Sequence, residues 1–232
     1  MFIGHFGAGF AGKKLAPEVS LGTLFLSVQF ADGLWPLLLL LGVEHVRITP
    51  GIMKLSPFDF YDYPFSHSLP ALVLWGIAVG AVSFVARGRV RGAAVLVAGV
   101  VSHWFLDFVM HRPDMPVLPR GPYVGLGLWN SPLATLLVET ALYGSGIALY
   151  LNATRAKDKV GVRAFWVLVI LLYGIWIASL FGPPPPSVTP VAISGIAMWL
   201  TIPWGYWIDR HRESRLARDA GVEGTQAPPQ RR

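Results

Sequence analysis

Long apolar runs limit this chain to one class of fold. Five runs lie near 21–43, 66–86, 91–111, 131–152 and 188–208, and a sixth, 164–181, carries no charge at all. A hydrocarbon layer of about 30 Å is crossed by roughly 20 apolar residues in a helix. Lipid offers backbone amides no partners, so such runs must satisfy their own hydrogen bonds as helices. Only 14% of residues are charged, well under the roughly 25% of soluble domains. The predicted fold is all-α: a polytopic bundle of about six transmembrane helices. Residues 1–209 form the single transmembrane domain, and 210–232 form a basic cytoplasmic tail, a short juxtamembrane helix fraying into disorder.

Lysine and arginine set the orientation. Fifteen of the 19 fall in one set of positions: Lys13 and Lys14, Arg87 to Arg91, Arg155 to Arg163, and the tail. The alternate loops hold four: Arg47, Lys54, Arg112 and Arg120. The bias places both termini in the cytoplasm and turns loops 44–65, 112–130 and 182–187 outward. The net charge of +6 therefore reads as topogenic, and nucleic acid is not an expected partner. Membrane lipid is.

At the N-terminus, "FIGHFGAGFAG" is apolar and glycine-rich but too short to span, which suggests a half-inserted or interfacial helix. It lacks the basic n-region and cleavage site of a signal peptide. The chain has no cysteine, which excludes disulfides, thiolate ligands and a cysteine nucleophile. "GPPPPS" at 182–187 reads as a stiff connector, and "GLGLWN" at 125–130 has no preceding strand and is not a nucleotide loop.

Ionisable groups inside hydrocarbon cost at least ~2.5–3.5 kcal/mol, so each calls for a partner or a purpose. Asp32 lies mid-way along the first run, His103 and Asp107 in the third, and Glu139 in the fourth, while His67 opens the second. At about 1.5 Å per residue, His103 and Glu139 sit roughly 12 Å below the outer ends of their helices. Asp62 and His67 belong at the outer mouth. The graded set suggests a polar cavity open to the outside.

Spacing sharpens this. In "SHWFLDFVMHRPD", His103, Asp107 and His111 recur every fourth residue and share a helix face. An imidazole nitrogen and a carboxylate oxygen can then converge on one cation, zinc or, with more carboxylate, manganese or magnesium. The alternative is a His–Asp hydrogen bond that merely satisfies two buried groups. Pro113 disfavours helix at Arg112, so Asp114 is expected to leave the stripe. Ser66 reads as an N-cap, Tyr61 and Tyr63 as interfacial anchors, and His45 as a membrane-edge residue. Asn130 or Ser131 is expected to cap the fourth helix, and His211 has no assigned role.

The order His5, Asp32, "FSHSL" and "SHWFLD" resembles the bacterial inner-membrane proteins described as LexA-regulated and metal-dependent-hydrolase-like. Their pattern is an N-terminal His, Pro-Asp-x-Asp, His-Arg-Gly-x-Thr-His-Ser, then Ser-His-x-x-x-Asp. The resemblance covers about residues 1–115 and implies His5, Asp32, His67, His103 and Asp107 as metal ligands. "FADGLWP" keeps one aspartate of the pair, and "DYPFSHS" has Asp62 and Tyr63 where His-Arg is usual. More distantly, the His-x-x-x-Asp element is similar to the helical zinc phospholipase C group.

The leading expectation is an inner-membrane hydrolase in which a Zn or Mn ion acidifies water for attack on a lipid-linked ester or phosphoester. Asp62 and Glu139 are its candidate acid–base groups. The alternatives are a proton- or cation-coupled transporter, and a scaffold whose polar residues only hold helices together.

Overall fold

The computed structural model describes residues 1–215. Chain order begins with α1 (Ile3–Leu15), α2 (Leu21–Val28) and α3 (Phe30–Leu40), then a hairpin of β1 (His45–Ile48) and β2 (Phe58–Asp62). A single turn, α4 (Pro64–His67), leads into α5 (Leu69–Arg87) and α6 (Val90–Met110). A second small ladder, β3 (Met115–Pro116) with β4 (Tyr123–Val124), precedes α7 (Pro132–Ala153). Then come β5 (Thr154–Ala156), α8 (Lys159–Phe181), α9 (Val188–Ala197), α10 (Thr201–Arg210) and β6 (Arg212–Ser214).

Among the described residues, α5, α6, α7, α8 and the continuous α9–α10 rod are long and apolar enough to cross a bilayer. The chain is thus an all-α polytopic bundle, with a sixth span if α2 and α3 count as one. They are bent by 56° at Gln29, so the expected first span is a broken one. Both β1–β2 and β3–β4 lie at one end of the bundle, which also holds Arg47, Lys54, Arg112 and Arg120. The other, basic end carries Lys13, Arg87 and the β5–β6 pair, in which Thr154 faces Ser214. Residues 212–214, expected in a fraying helix, are therefore strand. The remainder of the tail expectation, 216–232, lies outside the described residues.

The N-terminal helix is not interfacial. Ile3, His5, Phe6 and Phe10 have no exposed surface, because α1 is enclosed by α7, α2 and α6. Two glycines bring α1 against α7: a Cβ on Gly146 would lie 2.1 Å from the Gly7 carbonyl oxygen. Small residues let membrane helices approach to backbone contact, where dispersion and close packing replace the hydrophobic effect. The same device joins α2 to α10, where a Cβ on Gly205 would lie 2.7 Å from Gly22 N. Lys13 anchors the far end of α1, donating to the Val19 carbonyl at 2.9 Å and to Asp209 at 3.2 Å.

Packed around α1 is an aromatic core of Phe6, Phe10, Phe25, Tyr143, Tyr150 and Phe165. It fills the bundle from the level of His5 towards the basic end. Outward faces of α5 and α8, with Leu74, Val82, Val85 and Ile170, stay exposed as lipid-facing surface.

Candidate metal centre

The site begins on α6. One helical turn separates His103 from Asp107, and His103 Nε2 lies 3.2 Å from Asp107 Oδ2. The helix ends at Met110, as Pro113 requires, and His111 at its C-cap still reaches Asp107 Oδ2 at 3.8 Å. Three other elements converge on this stripe. From α3 comes Asp32, whose Oδ1 is 3.6 Å from His103 Nε2 and 3.7 Å from His67 Nε2. From α4 comes His67, with Nε2 3.8 Å from Asp107 Oδ2. From α1 comes His5, with Nε2 3.0 Å from the other Asp107 oxygen, Oδ1. The His5 ring stacks on His103, centroids 3.8 Å apart and nearly parallel. The α-amino group of Met1 also lies on Asp107 Oδ1.

Five residues singled out in the sequence therefore gather around His103. Their donor atoms form two overlapping groups, His5–His103–Asp107 and Asp32–His67–His103, each within 4.8 Å. Ligands about 2.0–2.2 Å from one ion at tetrahedral angles lie roughly 3.3–3.6 Å apart. The separations of 3.2–3.8 Å around His103, His67, Asp32 and Asp107 Oδ2 bracket that spacing.

Hydrogen bonds behind the rings decide which nitrogen faces inward. His103 Nδ1 lies 2.9 Å from the Val28 carbonyl, which can only accept, so Nδ1 carries the proton. Val28 ends α2 at the Gln29 break, and the break leaves its carbonyl to the histidine. His111 Nδ1 donates to Asp114 Oδ1 at 2.9 Å. His67 Nδ1 is 2.7 Å from Ser66 Oγ, and that hydroxyl donates to Glu44 Oε2 at 2.5 Å, so Ser66 must accept from His67. In its neutral form each of the three imidazoles thus presents an Nε2 lone pair towards Asp107. Backbone or carboxylate partners on the distal nitrogen are the usual support of metal-binding histidines. Among the described residues the fully buried His103 Nε2 has no hydrogen-bond partner. A buried nitrogen without one is costly unless something else fills its lone pair. The donor set fits a divalent ion.

Outer supports continue to the surface. Asp114 Oδ2 accepts from Arg112 Nε at 3.0 Å, and Arg112 also pairs with Asp59 on β2. The Tyr63 hydroxyl donates to the Asp114 carbonyl at 3.0 Å. Burial pushes that phenol well above its ordinary pKa, which keeps it a donor. Tyr63 is therefore a buried strut and not an interfacial anchor. Ser66 caps no helix, since α4 follows Tyr63 and α5 follows Ser68; it belongs to the support of His67. Ser131 precedes α7 without a side-chain capping bond, and Asn130 accepts from Lys54 N instead.

The two acid–base candidates lie apart from the donor groups. Asp62 pairs with His45 at 2.7 Å on the surface. Glu139 caps the start of α1, its Oε2 accepting from Phe2 N at 2.9 Å and Gly4 N at 3.2 Å, while Oε1 has no partner among the described residues. His211, at the basic end, bonds Asp158 at 2.7 Å. A cavity of about 700 Å³ runs from Asp32 and Glu139 to the loop at 51–57 and the prolines at 183–185.

The family model described as YdjM inner membrane protein matches residues 63–182. The chain belongs to that family. No curated protein and no solved structure matches it. Within the YdjM match lie His67, His103, Asp107, His111 and Glu139, together with the Asp114 support. His5, Asp32 and Glu44 precede it, so this YdjM chain completes its site from α1, α3 and the start of the β1 hairpin. Glu44 and Asp114 escaped notice in the sequence as parts of the site. Glu44 resembles any charge at a membrane edge, and Asp114 was expected to turn away.

Proposed function

We infer that the chain is a multi-pass bacterial inner-membrane protein that hydrolyses an ester or phosphoester at a divalent metal held by His67, His103, Asp32 and Asp107. His5 joins through the second oxygen of Asp107. One observation carries the reading: imidazoles from two elements are locked by Val28 and by Ser66–Glu44 so that their Nε2 lone pairs meet two carboxylates. An ion bound there supplies Lewis acidity, polarising a carbonyl or phosphoryl oxygen and acidifying water towards neutral pH. The nitrogen and oxygen donors suit Zn or Mn.

The residues divide the remaining work. Asp32 has a side chain 36% exposed, whereas His103 and Asp107 are almost wholly buried, so substrate meets the site at Asp32. Glu139 borders the same cavity, and its buried, unpartnered Oε1 is the acceptor assigned to a proton from water that enters beside it. Asp62, tied to His45 on the surface, is given no part. The lysine and arginine bias turns the hairpin end outward. The aromatic core below His5 separates the site from the basic end, which favours hydrolysis from one face over a relay through the membrane.

Metal content of the purified protein tests this. Wild type is expected to hold stoichiometric zinc or manganese, His103→Ala to lose it, and His67→Ala to retain a reduced amount with unchanged helical content. Metal-free wild type, or ion flux in proteoliposomes that Asp107→Asn abolishes, overturns the hydrolase reading.

A further inference from the structure

The cavity beside the site carries more than access for water. It is bounded by Ile175 and Trp176 of α8 and by Ser194 and Met198 at the end of α9, and its floor is Asp32 and Glu139. Trp35 and Trp129 complete an apolar wall. Its volume of about 700 Å³ falls in the range, roughly 300–1,000 Å³, that buries one drug-sized molecule. That is room for a single apolar chain.

Two further features select the occupant. Ile170 on α8 and Ile193 on α9 are 68% and 59% exposed on the lipid-facing surface, so the walls of the cavity stand in the bilayer, where amphiphiles are the abundant solutes. Among the described residues, Lys54 is the one lysine or arginine in the lining, at the hairpin end. A cationic group at the mouth, an apolar wall and a cluster of metal-ligating donors at the floor are complementary to an anionic amphiphile.

We propose that the substrate is a single-chain anionic amphiphile from the bilayer, with its ester or phosphoester at Asp32 and its apolar chain between α8 and α9 against Trp35, Trp129 and Trp176. This rests on the hydrolase reading for its chemistry, but the binding can be tested without turnover. The cavity supplies the reporters, since bromine on an acyl chain quenches tryptophan on contact.

The experiment places the protein in phosphatidylcholine nanodiscs and titrates a chain-brominated stearoyl lysophosphatidate. Tryptophan emission is expected to fall in a saturable component above the linear background from surrounding lipid. Ala178→Phe, which fills the cavity from α8, is expected to weaken the saturable component at least tenfold. The Trp35→Phe/Trp129→Phe double variant is expected to remove much of its amplitude, both variants keeping wild-type metal content. Metal-loaded wild type that shows only the linear component overturns the proposal and leaves the hydrolase reading standing. Glycerol phosphate competing as well as unbrominated lysophosphatidate also overturns it, in favour of a soluble substrate. Saturable, Ala178→Phe-sensitive quenching in protein without metal supports the amphiphile site while refuting the hydrolase reading.

Discussion

Glu44→Gln replaces one oxygen with an NH2 and reverses a line of hydrogen bonds that ends at His67. In the native chain Glu44 Oε1 accepts from Phe65 N at 2.7 Å and Ser66 N at 2.9 Å. Oε2 accepts from Ser66 Oγ at 2.5 Å, which leaves the hydroxyl to accept from His67 Nδ1. Glutamine keeps the two backbone bonds with its carbonyl oxygen but points a donor at Ser66. The hydroxyl proton must then turn to His67 Nδ1, and the ring proton moves to Nε2, the nitrogen aimed at Asp32 and Asp107. A ligand is lost without any change of volume. Losing an outer support of this kind lowers metal affinity about 10–100-fold, or about 1.4–2.8 kcal/mol. Glu44→Ala is a poorer probe, because it also strands the buried Ser66 amide at about 1–3 kcal/mol. The assay is competition of the folded protein against a chelator of known affinity, with the ¹⁵N shifts of His67 reporting the tautomer. Affinity within threefold of wild type, with Nδ1 still protonated, would show that Ser66 and Glu44 do not set the ligand nitrogen.

Further outcomes are expected elsewhere. Gly146→Val drives a side chain into the Gly7 backbone; it should cost at least the 1–3 kcal/mol of ordinary overpacking and loosen His5, seen as a lower unfolding temperature and weaker metal retention. Lys13→Met removes two charge-assisted bonds at the far end of α1 and should destabilise the fold by about 1.5–3 kcal/mol, measured by denaturant unfolding in detergent. Hydrogen bonds from His211 and from Gly161 N hold the Asp158 carboxyl below its ordinary pKa. A lowered folded value stabilises above the unfolded pKa, about 3.9, and the benefit fades as pH falls through the folded value. Exchange protection of the Gly161 amide should therefore persist at pH 5 and weaken only well below pH 4.

How much of the site could be read from residues alone depends on how local its cause is. His103 and Asp107 were legible because a four-residue spacing fixes their common face wherever the helix packs. Asp32 and His67 were legible as ionisable groups with no business in lipid. The burial of α1 was not. Its evidence is divided between Gly7 and Gly146, and nothing near Gly7 says that a partner waits on α7. Asp114 did leave the helix, as Pro113 demanded, yet the turn brings it back under His111 three residues away. Ser66 stands before an apolar run, where a cap is expected, but the helix restarts after Ser68 and frees its hydroxyl for His67. The break at Gln29 followed no obvious breaker at that position, and only the fold reveals what the freed Val28 carbonyl does.

The capping of α1 by Glu139 also has a consequence for biogenesis. The amide of Gly4 and the carboxylate that receives it are separated by 135 residues. At roughly 5–20 residues per second, a ribosome needs roughly 7–27 s to make that stretch. During that interval α1, too short to span, has neither its glycine neighbour nor its carboxylate cap, and His5 has no Asp107 until α6 arrives. The candidate site is therefore a late product of synthesis, assembled when α7 enters the membrane and closes the bundle around α1.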